Sequence, residues 1–192
     1  HCGAWLGTMG AEVIRVESNT RLELGRMPRI GAPADGIPGV NRSALWNGLN
    51  YSKLGVTLNI RDPDAKELVK ELVAVSDVVM ENFATGVLER LGLGYQELRK
   101  VKPDLVMLSG STMGVTGPER EATGFGPNVA SYAGQPFLTG YEGGAPQNQG
   151  GNWPDYLVGT MMAFGILSAL LQRAKTGEGQ YIEAAMSEVI SS

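Results

Sequence analysis

The alternation of apolar and polar positions opens on a short helical pattern in which Trp5, Leu6 and Met9 share one face before Gly10 ends it. Glu12 to Glu17, with Val13, Ile14 and Val16 between polar flanks, predicts a strand. From Ser18 to about Asn41 the chain is rich in Gly and Pro. That stretch predicts a loop, solvated or functional, carrying Arg21, Arg26 and Arg29. Val56 to Ile60 predicts a second strand. Asp62-Pro63-Asp64 then supplies a capping carboxylate, a proline at the first helical position and an acid in the first turn. Leu68, Val69, Leu72 and Val73 mark the apolar face of the helix that follows.

Asp77 to Met80 reads as a short buried strand with Glu81-Asn82-Phe83 at its carboxyl end. Thr85 is the expected cap of a short helix through Leu91, which Gly92 and Gly94 break. A helix over Tyr95 to Val101 stops before Pro103, and Leu105 to Leu108 is a further strand. From Gly110 to Trp153 the text turns to Gly, Pro, Ser, Thr and Asn, with one helical stretch near Asn128 to Tyr132. A long helix is expected from Asp155 to about Lys175. Thr176-Gly-Glu-Gly179 turns it into a strand, Gln180 to Ala184, ahead of a last helical segment.

Strands that alternate with helices imply an α/β fold, a mostly parallel sheet with flanking helices. Ligands of such sheets gather beyond the carboxyl ends of the strands. This places Glu17, the run 81–83 and Gly110-Ser111-Thr112 beside a common crevice.

A length of 192 residues fits one large domain or most of one. Without an initiating methionine, and with helical patterns already running at both ends, residues 1–192 read as part of a longer chain. The net charge is -4, and 16 Lys and Arg are scattered among 20 Asp and Glu. No basic stripe exists to follow a nucleic-acid backbone, so any anionic ligand must be held by local charges. A single Cys2 and the lack of a signal-like opening fit a reducing, cytoplasmic setting. The longest apolar stretch, Tyr156 to Leu171, is interrupted by Gly159, Thr160, Gly165 and Ser168 and falls short of the ~20 residues of a membrane span. It reads as a buried helix, with no membrane partner.

Candidate chemistry narrows by elimination. His1 is the only histidine, which removes Ser-His-Asp and Cys-His arrangements from this segment. Cys and His are too few for a zinc site, and no metal is expected. Neither a Gly-x-x-x-x-Gly-Lys-Ser/Thr loop nor a Gly-x-Gly-x-x-Gly after the first strand occurs. Carboxylates remain. Asp155 stands at the mouth of the long helix, after Trp153-Pro154. It suits first of all an ordinary first-turn acid stabilised by the helix dipole, and also a nucleophile, since an aspartate is already ionised at neutral pH without a base.

Several blocks together resemble the class III CoA-transferases. They are residues 10–17, Val56-Thr57-Leu58 with Asp62-Pro63, Asp77 to Phe83 with Gly86 to Gly92, and Asp155 with Arg173 and Thr176-Gly-Glu-Gly-Gln180. They fall in the family's order and spacing and span nearly the whole chain. The resemblance implies a partial, Rossmann-like large domain over residues 1–192 that binds CoA and performs catalysis, with the extreme N-terminus and the C-terminal half absent. Asp155 matches the family's catalytic aspartate, twenty-one residues before Thr176. Asn82 and Phe83, and the pair Arg90 and Leu91, match positions that hold the CoA moiety. Leu58 and Arg61 align with an apolar and a basic position beside its nucleotide end. Cations suit the CoA phosphates and apolar surface suits adenine. Read for themselves, Phe83 also fits a core position, and Arg61 and Arg90 fit solvated helix flanks.

The resemblance further implies acyl-CoA and a carboxylic acid as substrates, no tightly bound cofactor, and an interlocked homodimer, with a heteromeric partner as the alternative. The expected reaction moves CoA from an acyl-CoA to an acid through a covalent aspartyl intermediate. Gly150 and Gly151, ahead of Asp155, are candidates for oxyanion stabilisation or plain turn residues. Two departures bear on this. A basic position after the first strand is Ser18 here, so Arg21 or Arg26 is expected to substitute. Related racemases carry Gly-His-Asp where this chain has Gly124-Phe-Gly-Pro-Asn128, which leaves an α-methylacyl-CoA racemase-like reaction without its second base. A non-catalytic CoA-binding subunit is the other alternative.

Overall fold

The structure is a computed structural model that describes residues 1–27, 33 and 35–192. Arg29 lies outside the described residues. The chain divides into two compact units, residues 1–67 and 68–192.

In the first unit, α1 (Cys2–Thr8) leads into β1 (Ile14–Glu17), and α2 (Ala44–Leu49) leads into β2 (Leu54–Thr57). The two strands pair in parallel, Ile14 opposite Leu54 and Glu17 opposite Thr57. β2 therefore begins two residues before the expected Val56, because the register set by β1 reaches back to Leu54. The Leu58 N–H still bonds the Glu17 carbonyl at 2.9 Å just past the strand. Helix α1 inverts the expected face. Cys2, Gly3 and Ala4 are buried, whereas Trp5 and Met9 are exposed. Small residues sit inside because the backbones approach closely, with Gly7 against the Ser52 carbonyl.

No apolar periodicity marks α2, since it offers Trp46 as its only buried side chain. Its cap is legible afterwards. The Ser43 hydroxyl accepts from Trp46 N–H at 3.2 Å and donates to the Gly25 carbonyl. Two guanidinium groups lie over the Trp46 ring, Arg15 at 4.4 Å and Arg26 at 3.5 Å from the ring centre. Thus part of the loop expected to be structureless is anchored to this unit.

The boundary between units falls within α3 (Pro63–Ala74). Asp62 caps it as expected, accepting from the Asp64 N–H at 2.9 Å. Of the anticipated apolar face Val73 is buried, but Leu68 is half exposed.

The second unit holds β3 (Val78–Glu81), α4 (Val87–Leu91), α5 (Tyr95–Val101), β4 (Val106–Ser111), α6 (Gly126–Tyr132), α7 (Gln135–Leu138), α8 (Trp153–Thr176), β5 (Tyr181–Ala185) and α9 (Met186–Ser191). Its sheet has the order β3-β4-β5, all parallel. β4 is central and buried on both faces from Val106 through Ser111, as expected of a parallel strand flanked on both edges. Thr85 does not cap α4. Gly86 occupies that position with φ of 78°, and the Thr85 hydroxyl instead donates to the Gly114 carbonyl at 3.2 Å.

Helix α8 begins two residues earlier than expected, with Pro154 in its first turn, and runs for 24 residues. By length and composition alone it is long and apolar enough to cross a membrane, contrary to the sequence expectation, because its glycines and hydroxyl residues do not interrupt the helix. One face, which includes Val158, Gly159, Ala163, Ile166 and Ala169, is buried. Met162 fits over Gly110 of β4, and Gly165 lies 3.7 Å from Ile182 of β5, measured from a β-carbon built on the glycine. The opposite face, with Leu157, Met161, Phe164 and Leu171, is exposed. The expected buried helix is therefore half buried.

Arg173, in the last turn of α8, ties this helix to the starts of two strands. It donates to the Asp77 and Asp104 carbonyls at 3.2 and 3.3 Å and to Asp77 Oδ1 at 2.6 Å. Replacing Arg173 with Ala leaves both carbonyls without this donor. The expected loss from those two bonds is about 2 kcal/mol, read as a lower midpoint in urea denaturation, and Lys recovers less than half of it because it lacks the guanidinium fork.

Candidate active site

Asp155 is the third residue of α8, behind Asn152 at the cap and Trp153-Pro154 in the first turn. A carboxylate there faces the free N–H groups of the helix start. The side chain is nonetheless partly withdrawn from water, with Oδ2 buried. Burial pushes its pKa above the ordinary carboxyl value, opposed by the amides of Asp155 and Gly126. The indole Nε1 of Trp153 is also buried.

Gly126, the first residue of α6, packs against this carboxylate. A β-carbon built on it would overlap Asp155 Oδ2 and come within 3.2 Å of Cγ. Only glycine leaves room for the carboxylate. Sequence reading passed over Gly126 because the constraint acts through space, between residues 29 positions apart. Gly150 and Gly151 have φ of 73° and 64°, so both occupy the left-handed region and form the turn ahead of α8.

Asn82, Phe83, Arg90 and Leu91 lie on one segment at the carboxyl end of β3. Asn82 and Phe83 are exposed on the turn, Phe83 at 46%, and Arg90 and Leu91 end α4. The exposure of Phe83 rules out the core position. Arg90 folds back over the segment, its Nη1 lying 3.5 Å from the Thr85 carbonyl. These four residues and Asp155 belong to the second unit. Leu58 and Arg61 belong to the first, on the turn between β2 and α3, where the Arg61 N–H bonds Asn59 Oδ1 at 3.3 Å. Arg61 is exposed and has no ion-pair partner among the described residues.

Glu17 ends a strand of the first sheet, whereas residues 81–83 and 110–112 end neighbouring strands of the second. Arg26 is not the free cation that Ser18 left wanting. It binds both Glu17 oxygens, at 2.6 and 2.8 Å, and also Asn41 and the Val40 carbonyl. The Arg26 bonds hold the Glu17 carboxyl below its usual pKa. Arg21 is exposed.

Parallel strands joined through helices, with a partly buried carboxylate at a helix start, define an α/β protein. Residues 1–192 match the model of CoA-transferase family III, and the chain belongs to that family. The chain is 37% identical over 190 residues to the succinyl-CoA–L-malate CoA-transferase beta subunit of Chloroflexus aurantiacus, covering 98% of this chain and 45% of that protein. Identity to the succinyl-CoA:glutarate CoA-transferase of Mus musculus is 36% over 183 residues, covering 93% and 39%. Among solved structures, a CaiB/BaiF family protein from Brucella suis superposes with a TM-score of 0.89 at 34% identity, covering 99% of this chain and 50% of that one. The chain thus spans less than half the length of these two curated relatives.

Proposed function

We propose that the protein transfers CoA from an acyl-CoA to a carboxylic acid, with Asp155 as the nucleophile. The observation that carries this reading is a partly buried carboxylate at a helix start whose Oδ2 occupies the space that a side chain at Gly126 would fill. Membership of a CoA-transferase family supports acyl transfer as the chemistry of that carboxylate.

In the reaction, an Asp155 oxygen attacks the donor thioester carbonyl and the C–S bond breaks, giving a mixed anhydride and CoA thiolate. The thiolate attacks the aspartyl carbonyl, releasing the donor acid and leaving an aspartyl-CoA thioester. The acceptor carboxylate then attacks that thioester, forming a second anhydride and freeing the thiolate again. Attack of the thiolate on the acceptor carbonyl yields the new acyl-CoA and restores Asp155. Each step exchanges one acyl bond for another, so the thioester energy is retained as long as water is excluded.

Asn82, Phe83, Arg90 and Leu91 hold the CoA moiety in this proposal, and Leu58 and Arg61 its nucleotide end. The names of the relatives, which specify succinyl-CoA with malate or glutarate, support dicarboxylic acids as substrates. Lack of a histidine in residues 124–128 supports transfer over racemisation. The proposal includes a homodimer in the cytoplasm, where the lone, buried Cys2 thiol, pushed up to about 11, would stay reduced and inert. The name "beta subunit" carried by one relative makes a heteromer the competing assembly. Light scattering of the purified full-length protein separates the two.

The chemical step is tested by mass spectrometry. After incubation with succinyl-CoA and then hydroxylamine, the peptide containing Asp155 is expected to carry a hydroxamate. Transfer activity with no adduct at Asp155 would overturn the assignment.

A further inference from the structure

Glu81 is the last residue of β3, one position before Asn82. Its side chain turns back along the backbone, and Oε2 accepts the Phe83 N–H at 2.7 Å. The other oxygen accepts the hydroxyl of Ser109, which is only 5% exposed and stands opposite Glu81 in the parallel register of β3 and β4. The chain of contacts therefore runs from the buried central strand to one backbone amide of the turn. Phe83 is a large aromatic side chain held 46% exposed, and Asn82 beside it is exposed too. An exposed turn does not keep two side chains in one orientation unless its backbone is tied down. Here the tie is a carboxylate anchored in the sheet.

We propose that Glu81 is a positioning residue for CoA binding: pinned by Ser109, it fixes the Phe83 amide and so the direction in which Asn82 and Phe83 are presented. This rests on the assignment of those two residues to CoA made above. It adds a residue that touches no substrate and acts through the turn. The role needs two oxygen-sized hydrogen-bonding atoms at the right reach, and it does not need the negative charge. Glutamine meets that need, since its carbonyl accepts from Phe83 and its NH₂ donates to the Ser109 oxygen. Aspartate keeps the charge but draws the oxygens back by about 1.5 Å.

The test compares Glu81→Ala, Glu81→Gln and Glu81→Asp in the full-length protein, using calorimetric titration with CoA, transfer kinetics, and exchange of the Phe83 amide by NMR without CoA. For Ala, the expected result is a Kd for CoA and a KM for acyl-CoA raised about tenfold, as for one or two lost hydrogen bonds, with kcat within about threefold of wild type. The Phe83 amide loses protection. Gln stays within about threefold of wild type in every readout, and Asp resembles Ala. Should the Ala variant not fold, the contrast of Gln with Asp decides alone.

A Glu81→Ala protein that binds CoA like wild type would overturn the proposal, as would a weak Gln variant beside a normal Asp variant, which would assign the role to charge. A folded wild type that binds no CoA while its Phe83 amide stays protected would overturn it differently, by removing the CoA assignment with the turn intact.

Discussion

Asparagine at position 155 is expected to lower CoA transfer by about 10³-fold or more while the folded protein becomes harder to melt at neutral pH. The activity loss follows from removing the proposed nucleophile, and single nucleophile deletions cost factors of this size or larger. The gain in stability follows from burial. Because burial holds the Asp155 carboxyl above its ordinary pKa, the folded state binds its proton more tightly than the unfolded chain does. Its contribution to stability is therefore present at low pH and is lost as the pH rises through the folded pKa, so the ionised form at neutral pH is a cost. Asparagine keeps the shape and omits that cost. Its advantage in melting temperature should shrink as the pH is lowered through the carboxyl's folded pKa and vanish once Asp155 is protonated. Wild-type transfer should fall over the same range, since only the carboxylate attacks. Thermal melts and initial rates across that range check both, and an active Asp155→Asn enzyme would refute the assignment.

Gly126→Ala is expected to reduce kcat by about 10²-fold, the usual consequence of displacing a reacting group by roughly 1 Å. The added methyl group would occupy the space of Asp155 Oδ2, so the carboxylate or α6 has to move. Magnitudes separate this from a backbone effect. Within a helix Ala is normally favoured over Gly by up to about 1 kcal/mol, so any loss of stability must come from the collision. Gly48 in α2 serves as the control, because a β-carbon there meets nothing within 4 Å. Gly48→Ala should leave activity unchanged and raise the melting temperature slightly. Equal activity of Gly126→Ala and wild type would show that the pocket tolerates a side chain and that Asp155 is not confined as described.

Much of the fold was legible because its signals are local. Asp62-Pro63-Asp64 announces α3, the apolar runs mark β3 and β4, and their alternation with helices gives the parallel sheet. What escaped reading depends on partners distant in sequence. The start of β2 is set by its pairing with β1, and α2 is held by the contacts of Trp46 with Arg15 and Arg26. The short α7 has no buried side chain to give it a period. The site divides in the same way. Asp155 stands out by its position in a helix first turn and by the family pattern. Gly126 beside it, and Ser109 behind Glu81, become visible only once α6 meets α8 and β4 meets β3.

The central place of β4 also sets an order of events during folding. Its neighbour β3 lies a short helical connection upstream, but its other neighbour, β5, begins at Tyr181, after the whole of α6, α7 and α8. Closing so long a loop before any contact repays it is slow, and until then one edge of β4 has no strand beside it. A ribosome making this chain therefore exposes an unpaired, apolar strand edge for as long as it takes to synthesise the residues from 112 to 185. That interval is when a chaperone has most to offer.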